Sequence, residues 1–193
     1  ETNFAGAVTG MALNIQDPSL FPRWLMMFGM AFMTTAIFLI VDSAFFADNE
    51  SEEYKSTVRK FAVKVYAGGL LTAGIFGSWY IFGTFGTDLK SAIQTDSLIM
   101  TLFSLAAVST IIPFALIVLK QNSITKGSAL FIAATQFFVI VLNALSRQWK
   151  QSFEVSRIVD LAREPINTQW SSLIPFLIFF VIGASVIFWM VKQ

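Results

Sequence analysis

Five apolar stretches, each long enough to cross a bilayer, divide this sequence and limit what it can fold into. They run over about residues 24–46, 61–85, 98–119, 128–146 and 170–191, and the charged residues gather between them. About 20 apolar residues suffice for a helix to span the hydrocarbon core. Charged residues make up 13% of the chain, against about 25% in a soluble domain. The expectation is an all-α integral membrane protein. It is a single membrane domain, a bundle of about five transmembrane helices with a short interfacial helix.

The residue types that are missing exclude much chemistry. Cysteine is absent, so the chain has no disulfide framework, thiolate metal site or thiol nucleophile. Histidine is absent, which removes the usual general base, the commonest metal ligand and the usual membrane haem ligand. No P-loop, dinucleotide fingerprint, zinc spacing or hydrolase elbow occurs. A net charge of +1 with no basic–aromatic surface gives nucleic acid nothing to bind. Glu1 is not a translation start, so the expectation is a processed or incomplete chain that an earlier helix could precede. Residues 1–16 lack the basic and apolar regions of a cleavable signal peptide and read as a surface segment.

Taken in order, Pro18 and Pro22 make a turn ahead of the first span, and Arg23 and Trp24 suit the membrane–water boundary. Asp42 lies near the far end of that span and admits two readings, a carboxylate reaching headgroups and a proton relay. Residues 47–60 read as a charged loop. The second span carries Gly69, Ala73 and Gly77 at four-residue spacing, a small-residue stripe that lets another helix come close. A short loop with Asp88, Lys90 and Asp96 comes next, and Pro113 predicts a kink in the third span. Gln136, Asn143 and Arg147 fall near one face of the fourth. They suit either helix–helix hydrogen bonds or a polar path, one that could hold a quinone oxygen. In the connection 147–169, Val155, Ile158, Val159 and Ala162 make an apolar helix face, with Glu154, Arg157, Asp160 and Arg163 opposite and Pro165 as the stop. This predicts a short interfacial helix, and its mixed charges favour a protein neighbour met through Arg157 and Arg163.

Five crossings place the termini on opposite sides. Lys55, Arg59, Lys60, Lys120, Lys126 and Lys192 share one side, with Lys64 just inside the second span; the other side has Arg23, Lys90, Arg147, Lys150, Arg157 and Arg163. Short loops dominate the positive-inside rule, which predicts an outside N-terminus and an inside C-terminus. Trp24, Trp79, Trp149 and Trp170 then mark the outer interface and Trp189 the inner.

The opening segment Asp17-Pro18-Ser19-Leu20-Phe21-Pro22-Arg23 resembles the Asn-Pro-Ser-Phe-Pro-Tyr-Arg type segment of cytochrome bd subunit I and its divergent relatives. In that family the segment enters a helix from the outer face and leads into a His-Met pair, then a small-residue and Thr-Thr stretch. Here Met26-Met27 stands in place of His-Met, and Ala-Phe-Met-Thr-Thr-Ala at 31–36 is similar to the small-residue and Thr-Thr stretch. The resemblance covers about residues 17–40. It implies a respiratory setting, while the missing histidine argues against oxidase activity in this chain. Met26, Met27, Met30 and Met33 could ligate haem iron or copper(I), yet they serve equally as packing residues.

These readings together predict a haem-free integral subunit of a multisubunit respiratory electron-transfer complex in the bacterial inner membrane. It would not be catalytic by itself. It would bind no cofactor alone, anchor other membrane subunits and extrinsic redox subunits such as c-type cytochromes, contact lipid, and leave haem or quinone to partners. The alternative is a component of a transporter or ion channel, drawn from Asp42 and the polar face of the fourth span.

Overall fold

The computed structural model describes residues 17–159 and 170–192. The chain forms two units, Glu1–Phe153 and Glu154–Gln193. Every regular element among the described residues is helical. The order is α1 (Leu20–Phe45), α2 (Glu52–Ser78) running into a π-helical turn (Trp79–Thr84), α3 (Thr87–Thr95), α4 (Ser97–Val108), α5 (Ile111–Lys120), α6 (Lys126–Ser156) and α7 (Trp170–Lys192). Among the described residues four segments are long and apolar enough to cross a membrane: α1, α2 with its π turn, α4 with α5, and α6. In the second unit, α7 has 23 residues and carries Pro175 in its first turns. The chain is an all-α membrane protein.

The helix starts have local causes. The Ser19 amide donates to the Asp17 carboxylate at 2.8 Å and Pro22 sits fully buried in the first turn of α1, where its missing N–H costs nothing. The Ser19 amide holds the Asp17 carboxyl below its ordinary value of 3.8, and the Arg23 and Lys150 charges add to this. A lowered carboxyl pKa contributes stability that is complete above the ordinary value and vanishes as pH falls through the lowered one. Thermal unfolding from about pH 5 toward about pH 2 is therefore expected to bring the parent down toward Asp17→Asn, with a small gap at neutral pH.

The structure corrects three local expectations. Residues 47–60 are largely helical, because Ser51 accepts from the Tyr54 amide at 3.2 Å and Glu52 and Glu53 lie in the first turn of α2, where acids complement the helix dipole. The stretch with Asp88 and Lys90, expected as a loop, forms α3 with Leu89 buried. Asp96 then caps α4, accepting from the Leu98 and Ile99 amides at 2.9 and 3.3 Å. The third correction concerns the interfacial helix expected over 152–163. Residues 152–156 continue α6, Ile158 in the following turn is 85% exposed, and Ala162, Arg163 and Pro165 lie outside the described residues. No helix breaker stands between Arg147 and Ser156, so the fourth span simply runs on.

At Pro113 the third span breaks into α4 and α5 around Ser109 and Thr110. Pro113 has no N–H to give the Ser109 carbonyl, and the Ile112 amide takes it instead at 3.1 Å.

The core is built from Met33, Ala36, Ile37 and Ile40 of α1, Ala62 and Tyr66 of α2, Ile117 of α5, and Ala129 and Ile132 of α6. At one end of the bundle Lys126 pairs with Asp48 at 3.1 Å, joining the α5–α6 and α1–α2 connections. At the other, Trp149 meets Phe103 at 5.9 Å edge to face, and the Lys150 ammonium lies over the Tyr80 and Phe85 rings at 5.8 and 5.4 Å.

Candidate functional site

Near the middle of the bundle one side chain from α2 reaches two other spans. The Tyr66 hydroxyl lies 3.0 Å from the Thr110 carbonyl at the α4–α5 break and 3.0 Å from Gln136 Oε1 on α6. The other amide atom, Gln136 Nε2, is 3.4 Å from the Thr34 hydroxyl of α1, which donates to the Met30 carbonyl at 3.0 Å. All four spans of the unit therefore meet in one polar chain. Tyr66 is fully buried and Gln136 is 2% exposed. The Tyr66 ring stacks on Phe114 at 5.8 Å, which fixes the direction of its hydroxyl.

One phenolic proton cannot serve two acceptors well. Turning the Gln136 amide over, an assignment that hydrogen-bond logic and not atomic position decides, lets Nε2 donate to Tyr66 and Tyr66 donate to Thr110. Oε1 then faces the Thr34 hydroxyl, whose single proton must leave the Met30 carbonyl to complete that bond. Pro113 is part of the same device, because the break it causes places the Thr110 carbonyl within reach of Tyr66. Beside the break the Ser109 hydroxyl is buried without a hydrogen bond.

Asn143 is partly buried, and its Nδ2 donates to Val139 O at 2.9 Å and Ala106 O of α4 at 3.4 Å. Arg147 is exposed, its charge kept at the bundle end. The structure thus brings Gln136 and Asn143 inward and leaves Arg147 out. Asp42 is partly exposed at the opposite end, and its carboxylate makes no hydrogen bond or ion pair with the described residues.

The stripe on α2 lies against α1. A Cβ on Gly69 would come within 2.6 Å of the Gly29 carbonyl and 2.9 Å of the Met33 amide nitrogen. One on Gly29 would meet the Ala73 nitrogen at 2.5 Å and the Gly69 carbonyl at 2.8 Å. Gly77 faces the Met26 side chain, whose sulfur would be 3.4 Å from an added Cβ. In the opening segment Pro22 is buried, Pro18, Arg23 and Trp24 are exposed, and Trp24 stacks on Phe28 at 5.7 Å. Arg157 stands in the turn after α6 and is exposed.

Sequence reasoning passed over Tyr66, Thr34, Thr110 and Gly29. A tyrosine and a glycine inside apolar runs were the available signals. What joins them is the register of α1, α2, α4–α5 and α6 against one another, which no local pattern contains. The described residues hold no cluster of three metal-ligating side chains. Comparison with protein-family models, with curated proteins and with solved structures finds no match.

Proposed function

We propose that this chain is a haem-free, non-catalytic membrane subunit of a multisubunit electron-transfer complex in a bacterial cytoplasmic membrane, with its N-terminus outside. In this reading it holds redox subunits against the bilayer and leaves haem and quinone to them. The observation that carries the scaffold role is the polar chain itself. Thr34, Tyr66, Thr110 and Gln136 hydrogen-bond to one another and so hold four spans in register. The electron-transfer setting is drawn from the opening segment, and the haem-free assignment from a chain without histidine or cysteine. Met26, at the position of the resembled family's histidine, packs toward Gly77.

The test has two arms. The native assembly is purified from membranes and its chains and pigments identified, with co-purifying haem-bearing subunits expected. Charge reversal at Arg157 and Arg163 is expected to reduce their retention without disturbing insertion. The chain expressed alone with ample haem should give no stoichiometric b-type difference spectrum. A haem signal lost in Met26→Ala would overturn the haem-free assignment. An assembly of transport subunits without redox centres would favour the transporter or channel reading.

A further inference from the structure

Arg59 has no described partner for its charge. It projects from the inward row of α2, with Lys55 one turn before it and Ala62, Tyr66 and Gly69 after it, and it is 8% exposed. Its Nε is buried without a hydrogen bond, and its two Nη groups, which also make none, reach the surface. The acids at this end of the bundle do not answer it. Glu52 pairs with Lys55 at 3.0 Å and Asp48 with Lys126 at 3.1 Å. Asp42, Glu50 and Glu53 form no ion pair with Arg59. The other cations near it, Lys60 and Lys64, are exposed on a different face of α2. The Arg59 Nε is withdrawn from water without an acceptor, which is costly, and the Nη edge at the surface is open to an anionic group from outside the chain.

Depth identifies the group. Arg59 precedes Tyr66 by seven positions, a rise of roughly 10 Å from the polar chain at the bundle middle. The hydrocarbon half-thickness is about 15 Å, and an arginine side chain extends outward to cover the difference. With the polar chain at the level of the bilayer middle, the Nη edge comes to the hydrocarbon boundary, within reach of phospholipid phosphates. A basic pocket between transmembrane helices at that level is suited to an anionic headgroup. A phosphate there can accept two parallel N–H bonds from the fork.

We infer that Arg59, with Lys55 beside it, forms a binding site for the phosphate of an anionic phospholipid at the bundle end that carries the α1–α2 and α5–α6 connections. The full chain is reconstituted into nanodiscs of phosphatidylcholine alone or with phosphatidylglycerol. Phosphatidylglycerol retained after washing in neutral detergent is measured by lipid mass spectrometry, and unfolding temperature is followed in both discs. The parent and Lys64→Gln should retain phosphatidylglycerol equally, and Arg59→Gln about tenfold less, the effect of losing one charge-assisted contact. Arg59→Lys, which keeps the charge without the fork, should fall between. Phosphatidylglycerol should raise the unfolding temperature of the parent and leave that of Arg59→Gln unmoved. Should Arg59→Gln fail to fold, the parent and Arg59→Lys carry the comparison. Equal retention in the arginine variants and Lys64→Gln would overturn the proposal, as would a parent whose unfolding temperature ignores phosphatidylglycerol. Equal protection by inorganic phosphate in phosphatidylcholine discs would replace the lipid with a free anion. A partner carboxylate cross-linked at this position in the native assembly would replace it with a protein.

Discussion

Gly69→Ala is expected to destabilise the protein by about 2–3 kcal/mol, and Gly29→Ala by a similar amount, because each methyl group would overlap backbone atoms of the facing helix. For Gly69 these are the Gly29 carbonyl at 2.6 Å and the Met33 nitrogen at 2.9 Å. Backbone cannot rotate aside as a side chain can, so α1 and α2 must separate. The loss of contact then spreads along the seam that carries Met33, Ala36 and Ile40 into the core. The better helix propensity of alanine offsets only about 1 kcal/mol. Neighbouring glycines supply the control. A Cβ on Gly68 or Gly74 meets nothing within 4 Å, so alanine there should be neutral or stabilising by up to about 1 kcal/mol. Gly77→Ala should behave like these, because its nearest neighbour is the flexible end of Met26 at 3.4 Å. Reversible unfolding in mixed micelles ranks the five variants. If Gly69→Ala unfolds alongside Gly68→Ala, the seam is looser than these distances require.

Tyr66→Phe is expected to cost about 1–2 kcal/mol. It keeps the ring against Phe114 but leaves the Thr110 carbonyl and the Gln136 amide without the hydroxyl between them. Gln136→Leu should cost less if the Tyr66–Thr110 bond survives it, and this is what the turned-over amide implies. If Tyr66 instead donates to Gln136 Oε1, removing the glutamine frees the phenol proton for Thr110, and the two single variants should again differ. A double-mutant cycle measures the Tyr66–Gln136 bond in either case. With Gln136 as donor to Tyr66, the coupling energy should be about 0.5–1.5 kcal/mol. A value near zero would show that the 3.0 Å approach of Tyr66 and Gln136 carries no bond. Ser109→Ala is the contrast. Its hydroxyl is buried with no partner, so its removal should be neutral or stabilising.

These expectations show where local sequence was informative. The apolar runs announce the spans because a bilayer leaves the backbone few other ways to satisfy itself. Their ends were harder to place. Ser51 starts α2 well before the apolar pattern, because a capping hydroxyl and first-turn acids make a helix in water as readily as in lipid. Pro113 predicts a disturbance in the third span, and a two-residue interruption at Ser109 and Thr110, both still near helical dihedrals, is what results. The seven-residue offset that groups Gln136 and Asn143 is a property of one helix and could be read directly. The exposure of Arg147 depends on where the neighbouring helices end, so the same periodicity misleads there.

Composition and run length are enough to establish an all-α membrane protein without histidine or cysteine chemistry, since neither refers to a neighbour in space. Spacing within one helix is likewise enough to mark the stripe of Gly69, Ala73 and Gly77. It took the packed bundle to show that Gly29 faces that stripe and that Tyr66 meets Gln136 and the Thr110 carbonyl. Each of these joins residues far apart in the chain. Their meeting is set by the register and packing of whole helices, to which the periodicity of any one helix is blind.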